Sequence, residues 1–211
     1  GGLFCFWLPL HELDQDDLAV AIASFLEVFG EGTAFLGHLG WRQPIMALVA
    51  GGPEQLLEAE RLDPDRGERP ASLIQALAMS DLDSPEDVLT LRLGGTEWLR
   101  ELARGAPVTT WDRPELAYRS AETWWRGTRH LGRSTMSHLI DRRQSLEGIT
   151  NDENIRRRHR AVGIHLRASL AEAGGEYEEA IRGYGDAAFA DPTFRLPRLA
   201  LSLLRRRLVE Q

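Results

Sequence analysis

A continuous apolar run at residues 3–8, Leu-Phe-Cys-Phe-Trp-Leu, narrows the possible folds of this chain more than any other feature. It has the length of a strand and is closed by Pro9. Strands that are apolar on both faces are typical of sheets covered on both sides, and such sheets are usually parallel. We therefore expect residues 3–8 to form an interior strand of a parallel sheet, with Cys5 as a small buried core residue.

The next forty residues predict a helix and then a hairpin. Asp14 can cap a helix whose apolar residues recur at helical spacing, and Gly30 can end it. Two strand-like segments, residues 33–39 and 44–50, are joined by a connection short enough for an antiparallel hairpin. A mostly parallel sheet finishes in this order of strand, helix and hairpin. Residues 1–52 are thus predicted to be an α/β piece of three strands with one flanking helix.

After this piece the strand signals fade. Residues 53–119 are predicted to be a helical extension, with a short helix at residues 71–79. Ser84 opens a second helix with a cap residue, then proline, and that helix should stop at Gly94.

The rest of the chain is predicted to be helical apart from two breaks. Thr96 caps a helix that ends at Gly105, and residues 106–118 form an extended, proline-containing segment. Residues 120–211 form a helical tail with a linker near residues 148–154.

One stretch of the tail resembles a known repeat. Gly-Glu-Tyr-Glu-Glu-Ala-Ile at residues 175–181, then Tyr184, Ala187 and Asp191-Pro192, resembles the second half of a tetratricopeptide repeat. In such a repeat small residues let two helices approach closely, an aromatic residue fills the gap between them, and proline ends the second helix.

The resemblance covers about one unit, residues 161–194, although Arg167 stands where that family usually has leucine. One unit cannot bury its own face, so it must stack on neighbouring helices. Two interpretations remain open for the tail. It is either a scaffold for a protein partner or a helical extension that packs on its own enzyme.

A second resemblance covers residues 1–119. The opening Gly-Gly-Leu-Phe-Cys-Phe-Trp-Leu-Pro-Leu-His-Glu-Leu, the acid-capped helix and the glycine-closed hairpin resemble the C-terminal end of spermidine synthase-like aminopropyltransferases. Thr-Thr-Trp-Asp-Arg-Pro-Glu at residues 109–115 looks like the Asn-Thr-Asp-Asp-Arg-Pro stretch of the long bacterial members. Those members often carry helical-repeat tails.

The resemblance implies the C-terminal strands of a methyltransferase-like Rossmann sheet, followed by an all-α, repeat-like region. The intact parent would be a cytoplasmic transferase that uses decarboxylated S-adenosylmethionine as co-substrate, and some members of the family have an upstream anchor to the inner membrane. The family's glycine-rich nucleotide loop, ribose-binding acid and catalytic aspartate all precede the matching strand. We therefore expect no catalytic residue and no cofactor in this chain, an inactive isolated chain, and the N-terminal part of the same sheet as its partner.

Three residues are predicted to lie beside substrate, because ligands of open α/β sheets sit outside the carboxyl ends of the strands. Trp7, His11 and Glu12 fall there: Glu12 could attract a cationic amine and Trp7 could wall the pocket. The structural alternative is a core tryptophan followed by a solvated loop. The family often has glutamine at the place of Phe6, so a direct polar contact there is lost, and Trp111 stands where the family's first aspartate would be.

Composition excludes several other functions. The net charge of −7 argues against nucleic-acid binding, and all 25 basic residues are arginine, which excludes lysine-based Schiff-base and P-loop chemistry. Neither a cysteine set nor histidine pairs at metal-binding spacing occur, so no metal is expected. The competing hypothesis to the transferase is a non-catalytic helical-repeat module that binds a protein.

Overall fold

The computed structural model describes residues 2–51, 82, 85–119 and 131–210. The helix predicted at residues 71–79 lies outside them. The chain divides into two compact units, here called the sheet unit (Gly1–Leu56 with Arg92–Gln144) and the helical unit (Leu57–Leu91 with Ser145–Gln211).

The sheet unit combines four strands with α-helices. Its described elements are, in chain order, β1 (Phe4–Pro9), α1 (Gln15–Phe29), β2 (Thr33–Leu36), β3 (Ile45–Ala50), β4 (Arg92–Gly94), α2 (Thr96–Leu102) and α3 (Leu131–Asp141). The strand order is β1-β3-β2-β4, and every pair of neighbours is antiparallel. The mixed α/β class predicted from the sequence is confirmed, with a fourth strand that the sequence did not indicate.

The ends of α1 follow the predicted capping. The Asp17 amide donates to the Asp14 carboxylate over 2.7 Å, and Gly30 closes the helix with a φ of 73°. This φ lies in the region that favours glycine. The predicted hairpin is also confirmed, since β2 and β3 pair with Thr33 opposite Val49 and Leu36 opposite Met46.

The burial and the parallel pairing predicted for β1 are both wrong, since β3, its neighbour in the sheet, is antiparallel to it. The strand lies at an edge of the sheet, where Phe4 is 46% and Trp7 57% exposed, and Cys5 is exposed rather than buried. An apolar run shows that a strand can be buried on both faces, but burial itself requires neighbours on both sides. Among the described residues, β1 pairs with β3 alone.

The direction of β1 nevertheless follows the α/β pattern. Because β3 is antiparallel to both β1 and β2, these two strands run in the same direction, with α1 as the crossover between them. A strand–helix–strand connection between parallel strands is the building unit of doubly wound sheets. Here β3, which follows β2 along the chain, runs in the opposite direction and lies between β1 and β2.

The two faces of this sheet differ in coverage. Phe4 stacks on Phe29 of α1 with ring centroids 4.6 Å apart, so the face that Phe4 shares with Leu8 is turned toward α1. Residues on this face include the most buried of the sheet: Leu8, Ala34, Leu36, Met46, Leu48 and Ala50. On the opposite face Cys5 and Trp7 are exposed; Val49, the neighbour of Cys5 on β3, is partly buried, whereas Ala47, the neighbour of Trp7, is buried.

The helix predicted from Ser84 to Gly94 is wrong over its last turn. The described part begins as a 3₁₀ helix, Pro85–Leu91, and continues as β4, which pairs with β2. A capping signal reports only local preference, and pairing with β2 decides the conformation of these residues. Thr96 begins α2 but is not its cap; its hydroxyl instead bonds the backbone of Gly32.

The helical unit contains three long helices after the 3₁₀ helix. They are α4 (Glu153–Gly174), α5 (Tyr177–Ala190) and α6 (Leu196–Val209). Asp152 caps α4 by accepting from the amides of Asn154 and Ile155, and Gly175, in the left-handed region, ends it. The predicted linker before α4 is confirmed as a non-helical stretch.

Small residues form the contact between α4 and α5, as the repeat pattern predicts. Ala168, Ala180 and Tyr184 belong to one buried cluster together with Leu204 of α6. A second cluster joins Leu89 of the 3₁₀ helix to residues around the start of α4.

Candidate functional site

The carboxyl end of β1 holds the three residues predicted to lie near substrate. Its turn is fixed by the Leu10 amide, which donates to the carbonyl of Pro44 over 2.9 Å. His11 Nε2 lies 3.6 Å from Glu12 Oε1, so these two side chains meet. Trp7 lies on the incompletely covered face, where its ring packs close to Gly37.

The first turn of α3 packs directly against this end of the strand, which the sequence did not indicate. A Cβ added to Gly132 would lie 3.2 Å from the His11 Cα, so glycine permits this close approach. One turn on, the buried hydroxyl of Thr135 donates to the carbonyl of Leu13 over 2.9 Å. A glycine inside a helical pattern was the only sequence signal for this contact.

A polar cavity of about 600 Å³ lies between the start of α1 and α3. The cavity is lined by Gln15, Arg133, Ser134, Ser137, His138, Asp141 and Arg142. The sequence was searched for histidine pairs only as metal ligands, so this cavity was not predicted. The usable signal was the helical spacing of polar residues opposite an apolar stripe.

A second cavity of about 350 Å³ shares Gln15 and His138 with the first. Arg104 and Arg119 line it, and Arg119 is held by Asp16 over 3.3 Å. The two cavities are therefore adjacent, and together they are here called the α1–α3 groove.

The segment that carried part of the family resemblance forms a separate apolar cavity of about 820 Å³. The Thr109 amide donates to the Ser24 hydroxyl of α1 over 2.8 Å, which fixes the segment on the sheet unit. Trp111, one of the lining residues, is fully exposed. Residues 106–114 form neither helix nor strand, but Thr110 and Arg113 exchange backbone hydrogen bonds in a tight turn, so the segment is not extended throughout; the chain is helical from Glu115.

Buried polar groups of the helical unit form a structural network. Asp191, 1% exposed, pairs with Arg158 and accepts from the Thr193 amide and hydroxyl. Burial raises the pKa of Asp191, but the hydrogen bonds from Thr193 and Arg158 outweigh it and hold that pKa below its usual range. The Tyr184 hydroxyl likewise bonds the Glu172 carboxylate over 2.7 Å. These contacts join α4 to α5 and to the turn after it.

Neither a metal site nor a membrane span is found in the part of the chain that the structure describes. No group of three or more histidine, cysteine, aspartate or glutamate side chains there could hold a metal ion. No described helix combines the length and apolarity needed to cross a membrane.

The described residues thus define a mixed α/β protein with a helical part. Comparison with protein-family models, with curated proteins and with solved structures found no match for the chain.

Proposed function

We propose that this chain is the C-terminal part of a spermidine synthase-like aminopropyltransferase. It would supply the last strands of a methyltransferase-like Rossmann sheet, followed by a helical tail with a tetratricopeptide-like pair. In the intact enzyme a deprotonated diamine nitrogen attacks the aminopropyl carbon of decarboxylated S-adenosylmethionine. A C–N bond forms while the C–S bond breaks, and its electron pair leaves with sulfur as a neutral thioether.

The single observation that carries the proposal is the arrangement of β1. It runs parallel to β2 across the α1 crossover, yet its outer edge has no partner strand among the described residues. Phe4 and Trp7 are about half exposed on opposite faces of this strand. An edge strand with exposed apolar residues on both faces favours the addition of another strand. A further parallel strand, with the helix that covers the open face, would complete a doubly wound sheet.

The position of Glu12 supports an amine as one substrate. It follows the carboxyl end of β1, where an open α/β sheet binds its ligand. The Glu12 side chain is 56% exposed and therefore accessible to a cation. Trp7, in the strand that leads to Glu12, offers an exposed aromatic surface.

Reconstitution tests the proposal. The chain would be purified alone and also together with the polypeptide encoded directly upstream of Gly1. Mass spectrometry would follow aminopropyl transfer from decarboxylated S-adenosylmethionine to a set of diamines. We expect no turnover by the chain alone and turnover by the joined protein.

Substitution of Glu12 then tests the assigned position. In the joined protein Glu12→Gln should raise KM for the diamine about 2–5-fold, the range for an exposed charge pair, with kcat unchanged. Glu101→Gln, an equal charge change at an exposed position of α2, is the matched control. A joined protein without turnover on any diamine would remove the proposal.

The oligomeric state of the isolated chain gives an independent check. Because β1 exposes an unpaired apolar edge, the chain alone should self-associate in sedimentation velocity and become monodisperse when joined. A monodisperse monomer that unfolds cooperatively by itself would contradict the missing-sheet argument.

The second candidate is a non-catalytic module that binds a protein through its helices. It is favoured by exposed apolar side chains on α5 and α6: Phe189 is 88%, Leu199 55% and Leu203 52% exposed. Leu199 and Leu203 are four residues apart and lie on one face of α6. A self-contained monomer in the preceding experiment would favour this candidate over the transferase.

A further inference from the structure

The polar residues of α3 share one face of the helix. Ser134 and His138 are four residues apart on α3, and Arg142, which directly follows the helix, is four residues after His138, so the three form one row with Ser137 beside it. All four line the larger cavity of the α1–α3 groove. The helix therefore presents hydroxyl, imidazole and guanidinium groups to the same space.

The opposite face of α3 holds this row in place. The most buried residues of the helix are Thr135, Met136, Leu139 and Ile140. The indole of Trp98 also donates to the carbonyl of Arg142 over 2.7 Å, which anchors the last turn. The polar row is thus carried by a helix fixed on the core and on α2, as a preorganised site requires.

The contact between His138 and Arg142 assigns the imidazole proton. Arg142 Nη1 lies 3.1 Å from His138 Nδ1, and a guanidinium can only donate, so Nδ1 must accept. The proton of the neutral ring is then on Nε2, which makes Nε2–H a donor. Burial, together with the Arg142 charge, lowers the pKa of His138 although Asp141 acts against it, and this favours the neutral ring.

The groove is positively charged, whereas the chain as a whole is negatively charged. The chain carries a net charge of −7, yet Arg133 and Arg142 line the larger cavity with Asp141 as its one carboxylate among the described residues. In the smaller cavity Arg119 pairs with both Asp16 and Asp17, and Arg104 adds a further guanidinium. Donors and positive charge therefore converge on one groove of an otherwise acidic protein.

We propose that the α1–α3 groove binds a small oxyanion, either a phosphate or a carboxylate. Arg133 and Arg142 supply the charge, Ser134 and Ser137 donate from their hydroxyls, and His138 donates from Nε2. Guanidinium groups match the geometry of both anions and form charge-assisted hydrogen bonds to them. The proposal does not depend on the transferase function.

Calorimetry on the full chain tests the site. Inorganic phosphate and citrate would be titrated separately at constant ionic strength, with sodium chloride as the blank. We expect saturable binding at one site. Phosphate binding alone assigns a phosphate ligand, citrate binding alone assigns a carboxylate, and binding of both supports a general oxyanion site.

Two variants of equal charge make the test specific to the groove. Arg133→Gln should weaken binding about 10-fold or more, the effect of losing one charge-assisted hydrogen bond. Arg42→Gln removes the same charge from an exposed position of the sheet unit that does not line the groove, and should leave affinity unchanged. Arg133 is exposed, so its substitution should not impair folding.

A neutral substitution separates hydrogen bonding from charge. Ser137→Ala should weaken binding about 5-fold, because it removes one hydroxyl donor at an exposed position without changing the charge. Absence of saturable heat for both anions would overturn the proposal. So would an equal loss of affinity in Arg133→Gln and Arg42→Gln, since that would indicate only nonspecific attraction.

Discussion

The closeness of α4 and α5 leads to a sharp prediction at Gly183. A Cβ added there would lie 2.8 Å from the Ala168 Cβ and 3.4 Å from the Ala168 Cα, whereas carbon atoms normally pack about 3.5–4.0 Å apart. Gly185, two residues further along α5, has no atom within 4 Å of an added Cβ. The same substitution at these two positions should therefore act in different ways.

The magnitudes follow from two opposing effects. Replacing glycine by alanine inside a helix stabilises it by about 1 kcal/mol, because glycine loses more backbone entropy on folding. Gly185→Ala should realise this gain. At Gly183 the overlap with Ala168 adds an overpacking cost of about 1–3 kcal/mol, which cancels or exceeds the gain. The two variants should thus differ in the free energy of unfolding by about 1–3 kcal/mol.

Hydrogen exchange of the α4 and α5 amides is the appropriate measurement, because it reports the stability of the helical unit itself. Urea unfolding followed by circular dichroism at the helical band is a second readout. In terms of exchange, the expected difference corresponds to a factor of about 5–150 in protection.

A double-mutant cycle tests whether Ala168 is the cause. Ala168→Gly removes the methyl group that a new Cβ at position 183 would meet. In that background Gly183→Ala should again stabilise by about 1 kcal/mol, giving a coupling of about 1–3 kcal/mol. If Gly183→Ala stabilises as much as Gly185→Ala, or if the cycle shows no coupling, the close approach of the two helices is refuted.

Three further predictions concern buried groups. Asp191→Ala should lower the free energy of unfolding in urea by about 3–5 kcal/mol, because the buried Arg158 loses the carboxylate that pairs with it. A decrease below about 1 kcal/mol would contradict this pairing. Burial lowers the pKa of His165 to about 4, although the charge of Glu172 partly opposes this. Because the unfolded chain takes up the proton first, the free energy of unfolding should fall as the pH drops from about 6.5 toward 4, by about 2 kcal/mol at pH 5. His165→Leu should flatten that part of the pH profile, and an unchanged profile would rule out the assignment. Gly94→Ala should destabilise the sheet unit by about 2–3 kcal/mol in thermal unfolding, because its Cβ would overlap the indole of Trp98. Gly2→Ala, where an added Cβ meets nothing within 4 Å, is the control, and equal effects of the two would refute the overlap.

The sequence by itself determined features that depend on neighbouring residues along the chain. The Asp14 cap, the Gly30 end of α1 and the β2–β3 hairpin are all confirmed. The cap and the helix end rest on contacts within a few residues, and the hairpin joins two strands that are consecutive along the chain, so local chemistry is sufficient. The small residues that face each other in the α4–α5 pair were likewise predictable, because a helical period places them on one side.

Features that depend on distant segments were decided by the tertiary structure alone. Residues 92–94 form a strand because β2 is available to pair with them, although their local pattern favours a helix. Likewise β1 has the composition of an interior strand but lies at an edge, since burial is a property of the neighbours and not of the strand.

The candidate sites follow the same division. His11 and Glu12 are adjacent in sequence, so their meeting at the end of β1 could be predicted. The α1–α3 groove joins Gln15 to His138, more than a hundred residues apart, and no local pattern relates them. The spacing of the polar residues on α3 can be read from the sequence, but only the tertiary structure places α1 opposite them as the other wall of the groove.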